Sequence, residues 1–505
     1  MKKVNFKKCL KVLAVTLSCL VLFIALVAFF AAKWYHKTYG DIGFDSILFT
    51  LLNDVGAVDK SIINSYLTDS LAPSLIIAFV VCFILFFNIK KKFGFRIKDK
   101  FKIVLYPFNR VFSIIVSLIL SVVLILNAAK TVKLDDYLEY VTQETPVFEE
   151  EYVDPQNAKI TFPEQKRNLI YIFVESMETT FMSKDLGGEL DNNLLPNLYN
   201  LANENVNFSH NDGVGGFSQV SGSTYTAGAM VTQTSGIPLK TFYEAGNTYG
   251  KDNFLPGVYT LNDLLKENGY YQTLMVGSDA TYGHRDQYFV QHGIDKIYDY
   301  YTAKEDKIIE EDYYVWWGFE DEYLYKYAKQ ELLEISKKQE PFAFTMLTVD
   351  THFPNGYVCN QCGGEHPQQY DNVLKCADRQ LFDFVNWIKA QDFYENTTIV
   401  VAGDHLTMDK EYIRNNVENE DNRYIYNCII NSAVATKNSK NRQFLGVDMM
   451  PTTLAAMGCE IEGDRLGLGT NLFSDKKTLT ERKGMDYLLE EMPKFSNYYL
   501  ENFSQ

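Results

Sequence analysis

The chain has 505 residues, with 64 Asp and Glu against 48 Lys and Arg, for a formal net charge of −16. That length exceeds one small domain, so more than one folded unit is expected. The charge divides sharply: residues 1–133 hold 18 basic and 6 acidic side chains, leaving 30 basic and 58 acidic in the remainder, a net −28 that argues against nucleic-acid binding or simple electrostatic adhesion to anionic lipid.

In chain order, the first elements are apolar. Leu10–Ala32, Leu71–Phe87 and Val111–Ala129 each fall within the roughly 17–25 residues that cross a bilayer as a helix, the second only just, so residues 1–133 read as a membrane domain of three transmembrane helices. Lys2, Lys3, Lys7, Lys8 and Lys11 precede the first span. The loop from Lys90 to Arg110 carries six Lys and two Arg against Asp99 alone. The positive-inside rule keeps both segments in the cytoplasm and sends the chain outward after the third span. The exit of the first span, Phe30-Ala31-Ala32-Lys33-Trp34, is a poor cleavage site, which favours an anchor over a signal peptide. Between spans one and two, DIGFDSILFTLLNDVG has helical amphipathic spacing and reads as an interfacial or loop helix.

Residues 134–167 are polar, acidic and punctuated by Pro146, Pro155 and Pro163, the composition of a juxtamembrane linker. A globular domain is expected over 168–475. Its predicted elements alternate: strand 168–175, helices 194–205, 223–233 and 257–268, strand 272–277, helix 318–336, strand 342–350, helix 373–389 and strand 397–402. This predicts an α/β fold with a central mixed or parallel sheet flanked by helices. Residues 476–505 read as a tail with a terminal helix.

Three apolar strands end in chemically capable side chains. NLIYIFVE stops on Glu175, FAFTMLTVD runs into Thr351-His352, and TTIVVAG into Asp404-His405. Ligands bind at the carboxyl ends of strands in open α/β sheets, so these residues are expected to converge. Glu175, Asp404 and His405 offer two oxygen ligands and one nitrogen ligand, suited to Mn²⁺ or Zn²⁺, with Mg²⁺ as the harder alternative. The segment GGFSQVSGSTYTAGAMVTQTSGIP supplies Ser221, Ser223 and Thr224 before a predicted helix, where backbone N–H groups favour an anion. A hydroxyl activated there can attack phosphorus or sulfur.

Beyond residue 133 stand Cys359, Cys362, Cys376, Cys428 and Cys459. Cys359-x-x-Cys362 has zinc-ligand spacing, but the only other nearby candidates are Cys376 and His366. A disulfide involving Cys376 is the expectation for an oxidising exterior, with free thiols the alternative. Trp316, Trp317 and Phe319, at a predicted helix start, read as core more readily than as a sugar-stacking platform.

The strings NLIYIFVESMETTF, GSTYTAGAMVTQTSGIPL, WWGFEDEYL, TLTVDTHFPNGY, VVAGDHLTM and LGLGTNLF resemble, in order, the phosphoglycerol transferases of the alkaline phosphatase superfamily. That group includes the lipoteichoic acid synthases and the periplasmic-glucan phosphoglycerol transferases, and the chain looks nearer the glucan branch. The resemblance implies an alkaline phosphatase/sulfatase-like domain in which Glu175, Asp404 and His405 bind a manganese-like ion. The family nucleophile is a threonine directly after a glycine; here Ser223 follows Gly222, so an ungapped match makes Ser223 the nucleophile and a metal ligand, with Thr224 the alternative. The same carry-over makes His352 a proton-transfer residue beside the substrate and Arg285, in GHRDQYF, a phosphate-gripping residue, while His284 is left as surface.

The implied activity moves glycerolphosphate from phosphatidylglycerol to a glycan or polymer acceptor through a covalent Ser/Thr intermediate, with the domain outside the cytoplasm. Phosphoethanolamine transfer, a soluble phosphodiesterase or sulfatase on the same fold, and a catalytically inactive polymer-binding module are the rival readings. Against the sulfatase reading, the string after Ser223 lacks the Pro and Arg of the C/S-x-P-x-R maturation motif.

Overall fold

The computed structural model describes residues 6–40, 60–87, 92–97, 101–240 and 253–504. The predicted amphipathic helix within 41–56 lies outside them. The described residues divide into two compact units, one within residues 6–138 and the other within 139–504.

Among the described residues of the first unit three helices are long and apolar enough to cross a membrane: Leu10–Tyr39, Ile63–Phe86 and Arg110–Thr131. Their packing inverts that of a water-soluble bundle. Leu13, Phe79 and Ile119 face outward, whereas Ser18, Ser74, Ser113, Ser117 and Ser121 are buried. Small hydroxyl residues let apolar helices approach and can satisfy themselves across the interface. Ser113 Oγ accordingly donates to the Leu85 carbonyl at 2.6 Å, and Ser121 Oγ to Ser117 of its own helix at 2.8 Å. An antiparallel hairpin, Phe93–Ile97 with Phe101–Tyr106, joins the second and third helices.

The second unit is built on a seven-stranded sheet. Its strands are β1 (Asn168–Val174), β2 (Gly216–Phe217), β3 (Tyr271–Val276), β4 (Lys296–Tyr298), β5 (Phe342–Leu347), β6 (Thr397–Gly403) and β7 (Ile425–Ile430), in the spatial order β2-β7-β6-β1-β5-β3-β4. The five strands from β6 to β4 are parallel, and β7 runs antiparallel to both β6 and β2. Every residue of β1 and β6 is buried, as strands covered on both faces require. Leu169, Tyr171 and Phe173 enter one core, Ile170, Ile172 and Val174 the other. Helices α1 (Thr226–Ser235), α2 (Asp321–Ile335) and α3 (Gln369–Lys389) are among those covering the sheet.

The predicted strands recur within a few residues, whereas β2, β4 and β7 were not anticipated. β2 and β4 are too short to carry a pattern, and Asn427 and Cys428 interrupt the apolar run of β7. The expected linker is also different in kind. From residue 139 onward it belongs to the second unit. Phe148 is fully buried, its ring 5.2 Å edge-on to Tyr499, and Glu151 pairs with Arg465, Arg482 and Lys483. Ile160–Thr161 pairs antiparallel with Glu460–Ile461. Proline and acid content suggested a free segment because these partners lie some 300 residues away in sequence. Residues 479–503 include three short helices, of which Asn497–Phe503 supplies the Tyr499 and Phe503 rings against Phe148.

Candidate active site

Strand register assembles the centre. In the β1–β6 ladder Val174 lies opposite Gly403, so Glu175 and Asp404 leave adjacent parallel strands side by side. Glu175 is held from the other flank, its N–H donating to Thr348 Oγ1 at 3.0 Å just beyond β5. Ser176, at φ +54°, turns the chain so that its N–H donates to Asp404 Oδ1 at 2.7 Å and its hydroxyl to Glu175 Oε1 at 2.8 Å. Non-glycine residues seldom adopt that conformation, and such strain concentrates at functional sites. Gly403 fits because a side chain there would strike the Met177 carbonyl.

His405 completes the cluster. Its Nδ1–H donates to the Leu406 carbonyl at 2.8 Å, which fixes the tautomer and turns Nε2 toward Asp404 Oδ2 at 3.4 Å and Glu175 Oε1 at 3.5 Å. Ligand atoms of the three residues lie within 4.8 Å of one another, and all three are buried. Asp404 Oδ2 is buried without a hydrogen-bond partner among the described residues. Burial and the neighbouring Glu175 push the Asp404 carboxyl up to about 7. Against the same burial, the charges of His352 and His405 hold Glu175 below the ordinary carboxylate range. Two buried carboxylates with an orphaned oxygen and an inward-facing imidazole are a donor set that a divalent cation satisfies.

Thr226 brings a hydroxyl to this cluster, whereas the Ser223 hydroxyl is engaged elsewhere. Thr226 Oγ1 donates to Glu175 Oε2 at 3.2 Å and lies 3.3 Å from His405 Nε2. Ser223 is buried elsewhere, its hydroxyl donating to the Val220 carbonyl at 2.8 Å and accepting from the Val220 N–H at 3.1 Å. The correction follows from where the helix starts. Residues 220–223 form a turn closed by Ser223 N–H to Val220 O at 3.0 Å, with Gly222 at φ +84°. The helix begins only at Thr226. Gly-Ser at 222–223 therefore serves the turn, and the first helical residue carries the site hydroxyl. The readable signal was turn chemistry in Ser-Gly-Ser followed by uninterrupted helix from Thr226.

His352 lies near enough to Glu175 for its charge to lower that carboxyl. Its Nδ1–H donates to Phe353 O at 2.6 Å, and its ring centroid is 4.7 Å from that of Trp317. Arg285 is buried, its Nε donating to Tyr282 O at 2.9 Å and its Nη2 to Ser278 Oγ and Asp279 O. Burial lowers its guanidinium, while the charge of Glu175 is among those that oppose the shift. Tyr282 connects the two, its ring 6.2 Å from Trp317. His284 is half-buried, with φ +54°. Of the aromatic trio, Phe319 is core, but Trp316 and Trp317 are half-exposed and pack on Tyr357 and His352 respectively. They belong to the loop before α2, which starts at Asp321 rather than 318.

The expected disulfide is not formed. Cys359, Cys362 and Cys376 are free thiols whose sulfurs are grouped together, with Cys359 Sγ 3.6 Å from Cys362 Sγ and 3.7 Å from Cys376 Sγ. Cys428 and Cys459 are separate buried thiols.

Comparison with known proteins agrees with this architecture. Phosphoglycerol transferase I of Citrobacter koseri is 32% identical over 271 residues, covering 52% of this chain and 33% of the relative. Its namesake from Escherichia coli O6:K15:H31 is 31% identical over 269 residues with the same coverage. The chain thus spans about a third of the length of these curated relatives. Among solved structures, the lipoteichoic acid synthase LtaP of Listeria monocytogenes superposes with a TM-score of 0.50 at 22% identity, over 63% of this chain and 79% of that one. The lipooligosaccharide phosphoethanolamine transferase EptA of Neisseria meningitidis also gives 0.50, at 13% identity, over 88% and 84%. These two likenesses concern the fold. Residues 167–459, more than half of the chain, match the Sulfatase family, to which this chain belongs.

Proposed function

We propose that this protein is a membrane-anchored transferase that moves glycerolphosphate from phosphatidylglycerol to a hydroxyl of a cell-envelope glycan or polymer. The observation that carries the reading is the Thr226 hydroxyl, set at the first turn of α1 and hydrogen-bonded to Glu175 beside His405. Likeness to relatives named phosphoglycerol transferase I supports the choice of transferred group. Lysine and arginine placement supports an orientation with the second unit outside the cytoplasm, facing donor lipid in the outer leaflet.

Manganese is the ion we assign to Glu175, Asp404 and His405, with magnesium or zinc as alternatives. When bound, it supplies positive charge that favours the ionised form of a nearby hydroxyl and attracts phosphate oxygens. Thr226 Oγ forms the new bond to phosphorus while the ester bond to diacylglycerol breaks, and the Thr226 proton passes to solvent. His352 gives a proton to the departing oxygen of diacylglycerol. Arg285 offsets phosphate charge from within its buried setting, where a guanidinium fork suits phosphate oxygens. In the second half His352 takes the proton of the acceptor hydroxyl as that oxygen attacks phosphorus. The Thr226–phosphorus bond then breaks, and Thr226 regains a proton from solvent.

The test is peptide mapping of the full chain in detergent after incubation with phosphatidylglycerol and Mn²⁺, beside Thr226→Ala and Ser223→Ala. A glycerolphosphate adduct on the Thr226 peptide, lost in Thr226→Ala and kept in Ser223→Ala, is expected. An adduct that survives Thr226→Ala would overturn the nucleophile, and an adduct formed only from phosphatidylethanolamine would overturn the donor.

A further inference from the structure

Apart from Glu175, Asp404 and His405, one other convergence of ligating side chains occurs among the described residues: the thiols of Cys359, Cys362 and Cys376, all within 4.8 Å of one another. Cys359 and Cys362 lie on the loop that follows His352, in a C-x-x-C turn closed by Cys362 N–H to Cys359 O at 3.1 Å. Cys376 projects from the second turn of α3. Cys359 and Cys376 are buried, and Cys362 is half-buried.

We infer that these three sulfurs form a second metal site, a structural one for zinc or another thiolate-preferring cation, which ties the loop after His352 to α3. Zinc–sulfur bonds of about 2.3 Å at tetrahedral angles put neighbouring sulfurs about 3.8 Å apart. The two separations from Cys359, 3.6 and 3.7 Å, lie close to that value. The polar surroundings suit thiolates. Gln380 Nε2 donates to Cys376 Sγ at 3.3 Å and to Cys359 Sγ at 3.7 Å, and the Arg379 guanidinium donates to Cys376 Sγ at 3.5 Å. Donors and a cation aimed at sulfur favour its ionised form, the form that ligates. A disulfide would use only two of the three and leave the third in contact, poised for exchange. A metal engages all three, with water or another donor as the fourth ligand.

The test uses the full chain in detergent carrying His405→Ala, so that the Glu175 cluster does not compete for the ion. After metal removal, cobalt titration is expected to produce the sulfur-to-cobalt charge-transfer absorption, saturating at about one equivalent. Zinc is expected to shield the peptides containing Cys359, Cys362 and Cys376 from alkylation until a chelator is added. Cys362→Ser and Cys376→Ser should each weaken retention at least tenfold. Absence of the charge-transfer band with freely alkylated thiols would overturn the site. So would a pair of these cysteines that resists alkylation until reduced, which identifies a disulfide. If the serine variants do not fold, the cobalt spectrum of the chain with its cysteines intact decides the matter.

Discussion

Thr226 Oγ1 lies 3.2 Å from Glu175 Oε2 although 51 residues separate the two, because a helix start and a strand end meet at one edge of the sheet. Thr226→Val removes the hydroxyl while keeping the side-chain shape. It should lower transfer by at least about 10³-fold, as expected for loss of a nucleophile. Thr226→Ser should retain measurable turnover. Bound metal, measured on the same preparations, should remain within twofold in both.

Behind the site, Arg423 grips Glu178 with two bonds, Nε to Oε2 at 2.8 Å and Nη2 to Oε1 at 2.6 Å, with both residues buried. Removing one partner strands a buried charge. Arg423→Met should therefore cost about 3–5 kcal/mol in denaturant unfolding. The double variant Glu178→Gln/Arg423→Met should be more stable than Arg423→Met alone. Equal losses in the two would show that lost packing, not the stranded carboxylate, sets the cost.

Gly403 lies opposite Val174 in the β1–β6 ladder and immediately precedes Asp404. An added Cβ would meet the Met177 carbonyl and Ile425 Cγ2. Gly403→Ala should destabilise the domain by roughly 1–3 kcal/mol through overpacking. Because Met177 follows Ser176 and Glu175, Mn²⁺ affinity should fall as well, which isothermal titration would register.

His210 is stacked on Tyr424, ring centroids 3.4 Å apart, with Nδ1 accepting from the Gly216 N–H. Burial pushes its imidazole down to about 4 from the ordinary 6.5. The folded state thus prefers neutral His210, and the unfolded chain gains the proton first on acidification. The stability this preference provides is present above pH 6.5 and is lost as pH falls through about 4. His210→Gln should flatten the pH dependence of unfolding across that window by up to about one proton. An unchanged slope would place the acid sensitivity in other groups.

Phe148, in the stretch that reads as linker, is fully buried against the last helix. Phe148→Ala should cost about 3–5 kcal/mol, the usual range for a buried aromatic. A fragment starting at residue 153 should melt below one starting at 139.

The sequence by itself determined whatever depends on local pattern. Three apolar runs of bilayer length, strands β1, β5 and β6 as uninterrupted β-branched and aromatic runs, and the side chains that end them were all legible, because hydrophobic periodicity and length are properties of neighbours. So was the convergence of Glu175, Asp404 and His405, since parallel strands bring their carboxyl ends to one edge. What only the tertiary structure decided were relationships whose partners are distant or whose register turns on a few residues. A helix start shifted by three residues put the Thr226 hydroxyl, rather than that of Ser223, beside Glu175 and His405. Phe148 became core because Tyr499 covers it, and Ile160 packs against the core because Ile461 pairs with it. Trp317 became a neighbour of His352 because a loop, rather than a helix, carries it. Local sequence states what a segment can form; which surfaces meet is fixed by packing between segments hundreds of residues apart, and that information is distributed over the whole chain.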